Sequence, residues 1–203
     1  MKKLLLTSDA FVNPKIKKRF LELLGKNPID VKILFIPTAA EGEEGSMFWV
    51  KESEKELINM GVSKEKIVWL NINDIDKVSD LNQYDVIYVC GGNTFYLMYK
   101  LRETGLDKEI IKLINMGKTY VGVSAGSVIM GTTILHAKNA DKNLVGLKDM
   151  NGFGLTDKTI MPHYSEKEEE KTVNFEKENH CKVLRLKDGQ ALEVVDGVSK
   201  IIG

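Results

Sequence analysis

Short apolar runs alternate with helical patterns along the first 123 residues of this chain, and this alternation limits the possible folds most strongly. The runs predict strands at 3–7, 31–37, 66–72, 84–90 and 119–123. Amphipathic segments between them predict helices at 14–24, 46–60, 94–102 and 106–116. Such β–α alternation is typical of a mostly parallel sheet with helices on both faces, an α/β three-layer sandwich.

The pattern changes after Ser124. Residues 128–150 have weak periodicity, 159–162 form a short apolar run, and 166–178 are helical in pattern. Three short strands are predicted at 182–186, 191–195 and 198–202, joined by hairpin turns at Asp188-Gly189 and Asp196-Gly197. With neither a repeat nor a linker in the sequence, we expect a single domain, 1–203, with short antiparallel strands at its C-terminal end.

Composition excludes several classes of function. Lys and Arg total 29 against 29 Asp and Glu, so no global basic field favours nucleic acid or an anionic membrane. The apolar run at the N-terminus stops at Thr7, so it is too short for the apolar region of a signal peptide. No run reaches the roughly 18 apolar residues of a membrane span. Cys90 and Cys181 show neither metal spacing nor a disulfide framework, so a cytoplasmic protein without metal or organic cofactor is expected.

One motif, G-x-S-x-G, lies where the fifth predicted strand should turn into a helix. Gly122 and Gly126 flank Ser124, and small residues there let strand and helix approach closely. A serine on such a turn is pushed outward with a helix N-terminus behind it, which is typical of a nucleophile. A helix-capping serine at an ordinary strand–helix junction is the alternative.

A serine nucleophile needs a base and an orienting carboxylate. Of the three histidines, His163 follows a strand-like run and is favoured over His136 and His180. Three acids between Ser124 and His163 could orient the imidazole, and spacing does not choose among them: Asp141, Asp149 and Asp157.

Oxyanion donors are expected from backbone amides near the serine. Ala125 N–H stands at the start of the predicted helix, and Gly91-Gly92 ends the fourth strand. Asn93 and Thr94 then cap the next helix, so this loop carries a second helix N-terminus.

Three segments together resemble the peptidase E family of aspartyl dipeptidases, which is similar to class I glutamine amidotransferases with serine in place of cysteine. They read G-G-N-T-F-Y-L at 91–97, G-V-S-A-G-S at 122–127 and P-H-Y at 162–164. The resemblance implies a serine exopeptidase with Ser124 as nucleophile and His163 as base. By family spacing it implies Asp141 as the triad acid.

The resemblance also implies oxyanion donors at Gly92 and Ala125, and substrate contacts from Asn93, Thr94 and Lys171. Members selective for N-terminal aspartate are expected to carry an arginine on the helix after the histidine, where this chain offers only lysines such as Lys171. A lysine lacks the bidentate fork of arginine, so strict aspartyl specificity does not follow.

The expected partner is a small peptide, and the expected state is a monomer or homodimer. Three alternatives stay open: a cyanophycinase-like peptidase of other specificity, a non-catalytic binding or regulatory protein on the same scaffold, and an α/β-hydrolase esterase. The esterase is disfavoured because few residues separate Ser124 from His163.

Overall fold

The predicted alternation of strands and helices folds into a seven-stranded sheet in the computed structural model. The model describes residues 1–77 and 80–203, with the backbone alone for 75–77. The strands of this sheet are β1 (Lys3–Thr7), β2 (Ile33–Ile36), β3 (Ile67–Trp69), β4 (Val86–Val89), β5 (Thr119–Val123), β8 (Ala191–Val195) and β9 (Val198–Ile202).

The strand order is β3-β2-β4-β5-β1-β8-β9. The first five of these are mutually parallel, with Leu5 of β1 opposite Val121 of β5. β8 runs antiparallel to β1, and β9 antiparallel to β8. The predicted mostly parallel sheet with antiparallel C-terminal strands is therefore confirmed, and the Asp196-Gly197 hairpin joins β8 to β9.

Helices cover both faces of the sheet. They are α1 (Pro14–Leu24), α2 (Thr38–Glu41), α3 (Met47–Asn59), α4 (Thr94–Thr104), α5 (Leu106–Asn115), α6 (Ala125–Val128) and α7 (Glu169–Asn179). Successive residues of β4 alternate between two buried clusters: Ile87 packs with α4 and α5, and Tyr88 packs with α1 and α3. Two cores thus fix the sheet between its helices, and the carboxyl ends of β1, β2, β4 and β5 share one edge.

The remaining two strands form a separate small sheet. β6 (Thr159–Met161) pairs in parallel with β7 (Val183–Arg185). The prediction of a hairpin at Asp188-Gly189 is therefore wrong, because β7 pairs with β6 whereas β8 is inserted beside β1 in the main sheet. The turn at 188–189 instead passes from the small sheet to the main one.

One further prediction needs correction in detail. The strand expected over 66–72 ends at Trp69, and a 3₁₀ segment, Ile72–Lys77, follows it. The side chain of Asn71 accepts a hydrogen bond from the amide of Asn73, a local bond that competes with strand pairing. Among the described residues, no helix is both long and apolar enough to cross a lipid bilayer.

Candidate active site

Ser124 occupies a strained turn between β5 and α6. Its φ is +47°, a left-handed value that is uncommon for any residue but glycine. Close packing surrounds the turn, because a Cβ on Gly122 would lie 2.5 Å from the carbonyl oxygen of Gly126. The predicted requirement for small residues is met, and the turn directs the Ser124 hydroxyl toward His163.

His163 follows β6 and also has a positive φ, +53°. Its Nε2 lies 3.1 Å from Ser124 Oγ, and its Nδ1 lies 2.7 Å from Asp188 Oδ1. A carboxylate oxygen only accepts, so Nδ1 carries the hydrogen and Nε2 offers its lone pair to the serine hydroxyl. This is the contact pattern that a general base requires.

The acid beside His163 is Asp188 rather than Asp141, so the expectation for Asp141 was wrong. Asp188 lies on the turn after β7, and its side chain is 60% exposed. Asp141 instead accepts a hydrogen bond of 2.7 Å from the amide of Thr94, at the start of α4. Neither Asp149 nor Asp157 contacts the imidazole: Asp149 pairs with Arg102 and Asp157 with Lys158.

The loop after β1 holds this pair in place and was not anticipated. The Ser8 hydroxyl accepts a 2.8 Å hydrogen bond from the amide of His163 and donates one of 2.8 Å to Asp188 Oδ1. Asp9 Oδ1 accepts a hydrogen bond of 2.8 Å from the amide of Gly189. Burial is the largest influence on the Asp9 carboxyl and raises its pKa, and the nearby Asp188 acts in the same direction, against the bond from Gly189.

The Gly91-Gly92 loop stands directly beside the serine. A Cβ on Gly91 would lie 3.2 Å from Ser124 Cβ. Gly92 has φ +133°, and a Cβ there would lie 2.3 Å from the carbonyl oxygen of Ala39, so only glycine fits. Ala125 begins α6, where backbone amides have no partner within the helix. Both amides predicted as oxyanion donors thus belong to segments adjoining Ser124.

Asn93 and Thr94 serve the start of α4. Asn93 caps this helix, because its Oδ1 accepts a hydrogen bond from the amide of Tyr96. Its Nδ2 donates a hydrogen bond of 2.9 Å to the carbonyl of Lys142. Both side chains are almost fully buried. Asn93 therefore ties the 140s loop to α4, and Thr94 lines the cavity described next.

A cavity of about 320 Å³ opens beside Ser124 and His163. Asp141 forms part of its wall, and burial raises the pKa of this carboxyl despite the hydrogen bond from Thr94. Lys171, predicted to contact substrate, lies at the cavity and pairs with Glu168 at 3.6 Å. His136, which the sequence ranked below His163 as a base, also lines it.

Fold and site together define an α/β protein in which a histidine contacts both a serine and an aspartate beside a cavity. Comparison with known proteins gives the class: the model of peptidase family S51 matches residues 4–202. The chain belongs to this family and is a peptidase.

Similar proteins agree with this assignment. An uncharacterized peptidase of Listeria monocytogenes is 36% identical over 168 residues, covering 81% of this chain and 79% of the relative. A peptidase E of Streptomyces coelicolor is 33% identical over 138 residues, covering 63% of this chain and 56% of the relative. A crystal structure of a candidate peptidase E from Listeria monocytogenes EGD-e superposes with a TM-score of 0.82 at 30% identity, covering 100% of this chain and 98% of the other.

Proposed function

We propose that this protein is a serine exopeptidase that hydrolyses short peptides through Ser124, His163 and Asp188. The observation that carries the proposal is the chain of contacts from Asp188 Oδ1 through both ring nitrogens of His163 to Ser124 Oγ. In this arrangement an imidazole can take the serine proton while a carboxylate holds the ring in the required tautomer.

The reaction has two stages. Ser124 Oγ attacks the scissile carbonyl carbon as His163 Nε2 takes the hydroxyl proton, and the amides of Gly92 and Ala125 donate to the oxyanion. His163 then protonates the leaving amine, the C–N bond breaks, and an acyl ester remains on Ser124. Water, deprotonated by His163, hydrolyses that ester and restores the free serine.

Asp141 supports action at a free N-terminus. Its Oδ2 accepts a hydrogen bond from the amide of Thr94, and its carboxyl group forms part of the cavity wall. A carboxylate so placed beside the serine can bind the α-ammonium group of a peptide, which would fix the scissile bond one residue away. The cavity of about 320 Å³ can hold the N-terminal residue of a peptide beside the serine.

The cellular setting proposed here is the cytoplasm. Cys90 and Cys181 are both free, as they would be in a reducing compartment. The proposed partner remains a short peptide bound by a monomer or homodimer.

The test is hydrolysis of a panel of Xaa-Leu dipeptides by the wild type, with Ser124→Ala and the matched control Ser199→Ala on exposed β9. We expect cleavage by the wild type and the control, and none by Ser124→Ala. A fluorophosphonate probe should label the wild type and the control alone. Undiminished hydrolysis by Ser124→Ala would refute the proposed nucleophile.

N-terminal acetylation of the best dipeptide tests the exopeptidase part separately. Blocking removes the positive charge that Asp141 would bind, so kcat/KM should fall about 10- to 100-fold, the cost of one charge-assisted hydrogen bond. Equal rates on free and acetylated peptides would mean that the free α-ammonium group is not recognised and would overturn the role of Asp141.

A further inference from the structure

The proposed triad acid, Asp188, lies on a turn that belongs to neither sheet. β7 ends at Arg185 and β8 begins at Ala191, so strand pairing does not fix residues 187–190. The Asp188 side chain is 60% exposed, so close packing does not hold it either. An orienting carboxylate acts only from a fixed position, so other contacts must hold this turn.

Hydrogen bonds inside the turn fix its shape but not its place. The amide of Gln190 donates to the carbonyl of Lys187 at 3.0 Å, and Gln190 Oε1 accepts from the amide of Lys187 at 3.0 Å. Gly189 has φ +78°, in a region that glycine enters freely. A turn with these bonds alone can tilt as a unit, and a tilt would carry the Asp188 carboxylate away from His163 Nδ1.

The loop after β1 holds both polar backbone groups of Gly189. Asp9 Oδ1 accepts from its amide at 2.8 Å, and Asn13 Nδ2 donates to its carbonyl oxygen at 2.9 Å. The amide belongs to the peptide group that joins Gly189 to Asp188, and the carbonyl belongs to the next peptide group. The two bonds therefore restrain the backbone on both sides of Gly189, immediately after the acid.

Asn13 is itself held in place, so it can act as an anchor. Its Oδ1 accepts a 2.9 Å hydrogen bond from the amide of Lys15 and caps α1. Its backbone carbonyl accepts from the amides of Ile16 and Lys17. A side-chain amide bonded through its oxygen to a helix presents its N–H hydrogens in a fixed direction, here toward Gly189.

The carboxyl group of Asp9 is costly where it lies. Burial raises its pKa, the hydrogen bond from Gly189 lowers it, and the nearby charge of Asp188 raises it again. The bond to the turn thus offsets both desolvation and repulsion between the two acids. An uncharged acceptor of the same shape could make this bond without the repulsion.

We propose that Asp9 and Asn13 are positioning residues that fix the turn at Gly189 and thereby hold the Asp188 carboxylate against His163. The inference rests on the proposed function and deepens it by assigning two residues that contact neither the serine nor the substrate.

Two substitutions of Asp9 test its hydrogen bond. Asp9→Ala removes the acceptor, so kcat on the best dipeptide should fall about tenfold with KM nearly unchanged. Asp9→Asn keeps an acceptor oxygen and should stay within about threefold of the wild type. Asp80→Ala is the matched control, because it removes a side-chain acceptor of another backbone amide, that of Asn82, and should keep the wild-type kcat. Equal losses in Asp9→Ala and Asp9→Asn would overturn the role assigned to this bond.

Asn13→Ser separates positioning from helix capping. Serine caps a helix about as well as asparagine but is too short to bond both α1 and Gly189. We expect kcat to fall about 5- to 10-fold while the melting temperature stays near the wild-type value. Asn27→Ser, the same change at the start of the 3₁₀ segment Pro28–Asp30, is the control and should leave kcat unchanged. A wild-type kcat in Asn13→Ser would overturn the role of Asn13.

A double-mutant cycle tests whether both residues act through the acid. Where Asp188→Asn is already present, Asp9→Ala or Asn13→Ser should change the remaining kcat by less than about twofold, because the turn no longer carries a carboxylate to position. A further tenfold loss in that background would show effects independent of Asp188 and would overturn the inference.

Fluorophosphonate labelling distinguishes failure of this inference from failure of the proposed function. The labelling rate reports activation of Ser124 without peptide binding, so it should fall by the same factor as kcat in Asp9→Ala and Asn13→Ser. Wild-type labelling and cleavage in both variants would overturn this inference alone. Neither labelling nor cleavage by the wild type would overturn the proposed function and this inference with it.

Discussion

The two sides of the cavity hold their polar groups by opposite means. The triad rim, defined as Ser124, His163 and Asp188, is partly or largely exposed, and its residues bond to one another. The pocket wall is defined as His136, which is buried, and Asp141, which is half-buried. His136 bonds to the carbonyl of Ile160, and Asp141 bonds to Thr94. The rim is suited to moving a proton, whereas the wall residues are held by bonds to neighbouring segments.

The backbone shows the same contrast. Ser124 and His163 both adopt left-handed φ values, +47° and +53°, which cost energy that the surrounding contacts must offset. His136 and Asp141 do not have positive φ values, and burial shifts their pKa values instead. In this molecule precise aim comes from strained backbone, and altered titration comes from desolvation.

Loss of the rim nucleophile should have the largest effect. Ser124→Ala removes the attacking oxygen, so kcat should fall about 10⁴-fold or more, because triad members act as a unit. The melting temperature should stay near that of the wild type, since alanine tolerates the turn no worse than serine. Initial rates and a thermal melt measure both, and a large drop in melting temperature would contradict the separation of rim chemistry from stability.

Matched amide substitutions of the two acids should separate rim from wall. Asp188→Asn should lower kcat about 10²- to 10⁴-fold with little change in KM, because the imidazole loses its orienting carboxylate. Asp141→Asn keeps an acceptor for the amide of Thr94 but loses the charge, so KM should rise about tenfold with kcat nearly unchanged. The reverse pattern in steady-state kinetics would restore Asp141 as the triad acid.

The wall should also govern acid stability. The pKa of His136 is about 4 in the folded protein against 6.5 for an ordinary histidine, so below pH 6.5 the unfolded chain binds a proton that the folded chain does not. Stability should therefore be lost as pH falls from 6.5 to 4, by about 3 kcal/mol for this residue alone.

Denaturant titrations at several pH values check this linkage. His136→Phe should show a shallower loss of unfolding free energy between pH 6.5 and 4 than the wild type. His180→Asn, at the exposed C-terminal end of α7, is the control and should follow the wild-type slope. Parallel curves for wild type and His136→Phe would mean that His136 is not held neutral by burial.

The smallest expected effect is on the support of the rim. Ser8→Ala removes the hydroxyl that joins the amide of His163 to Asp188, so kcat should fall about 10- to 30-fold while KM holds, because the base is less well aimed. The control is Ser53→Ala, which changes a buried serine of α3, away from the triad rim. This substitution should lower stability without changing kcat. Equal kinetic effects of the two substitutions would make Ser8 a packing residue only.

Local sequence patterns were enough to predict the parallel sheet and the serine turn. Apolar runs of four or five residues marked the strands because both faces of this sheet are covered. Gly122 and Gly126 flagged the serine turn because the packing around it leaves no room for a Cβ. These features depend on neighbours in the sequence, which a single chain displays.

Asp188 was missed because its position depends on distant contacts. The candidate acids lay between Ser124 and His163, so Asp188 was not among them. Asp188-Gly189 instead matched the sequence pattern of a hairpin turn. What brings Asp188 to the histidine is the insertion of β8 beside β1, which no local pattern reveals. The sequence offered one sign of this role: Asp188 is an acidic residue on a turn just after the strand predicted at 182–186. Ser8 and Asp9, directly after β1, carried the same weak signal.

The hydrogen bonds of Ser8 to His163 and Asp188 also bear on the order in which the site forms during synthesis. Its hydroxyl contacts residues 155 and 180 positions further along the chain. Contacts of such long sequence separation form late, because closing the intervening loops costs entropy first. A nascent chain that has already emerged past Ser124 still lacks the residues that aim its base. Ser124 would thus leave the ribosome without its base and acid. The site can assemble only after the turn that carries Asp188, just before β8, has been synthesised.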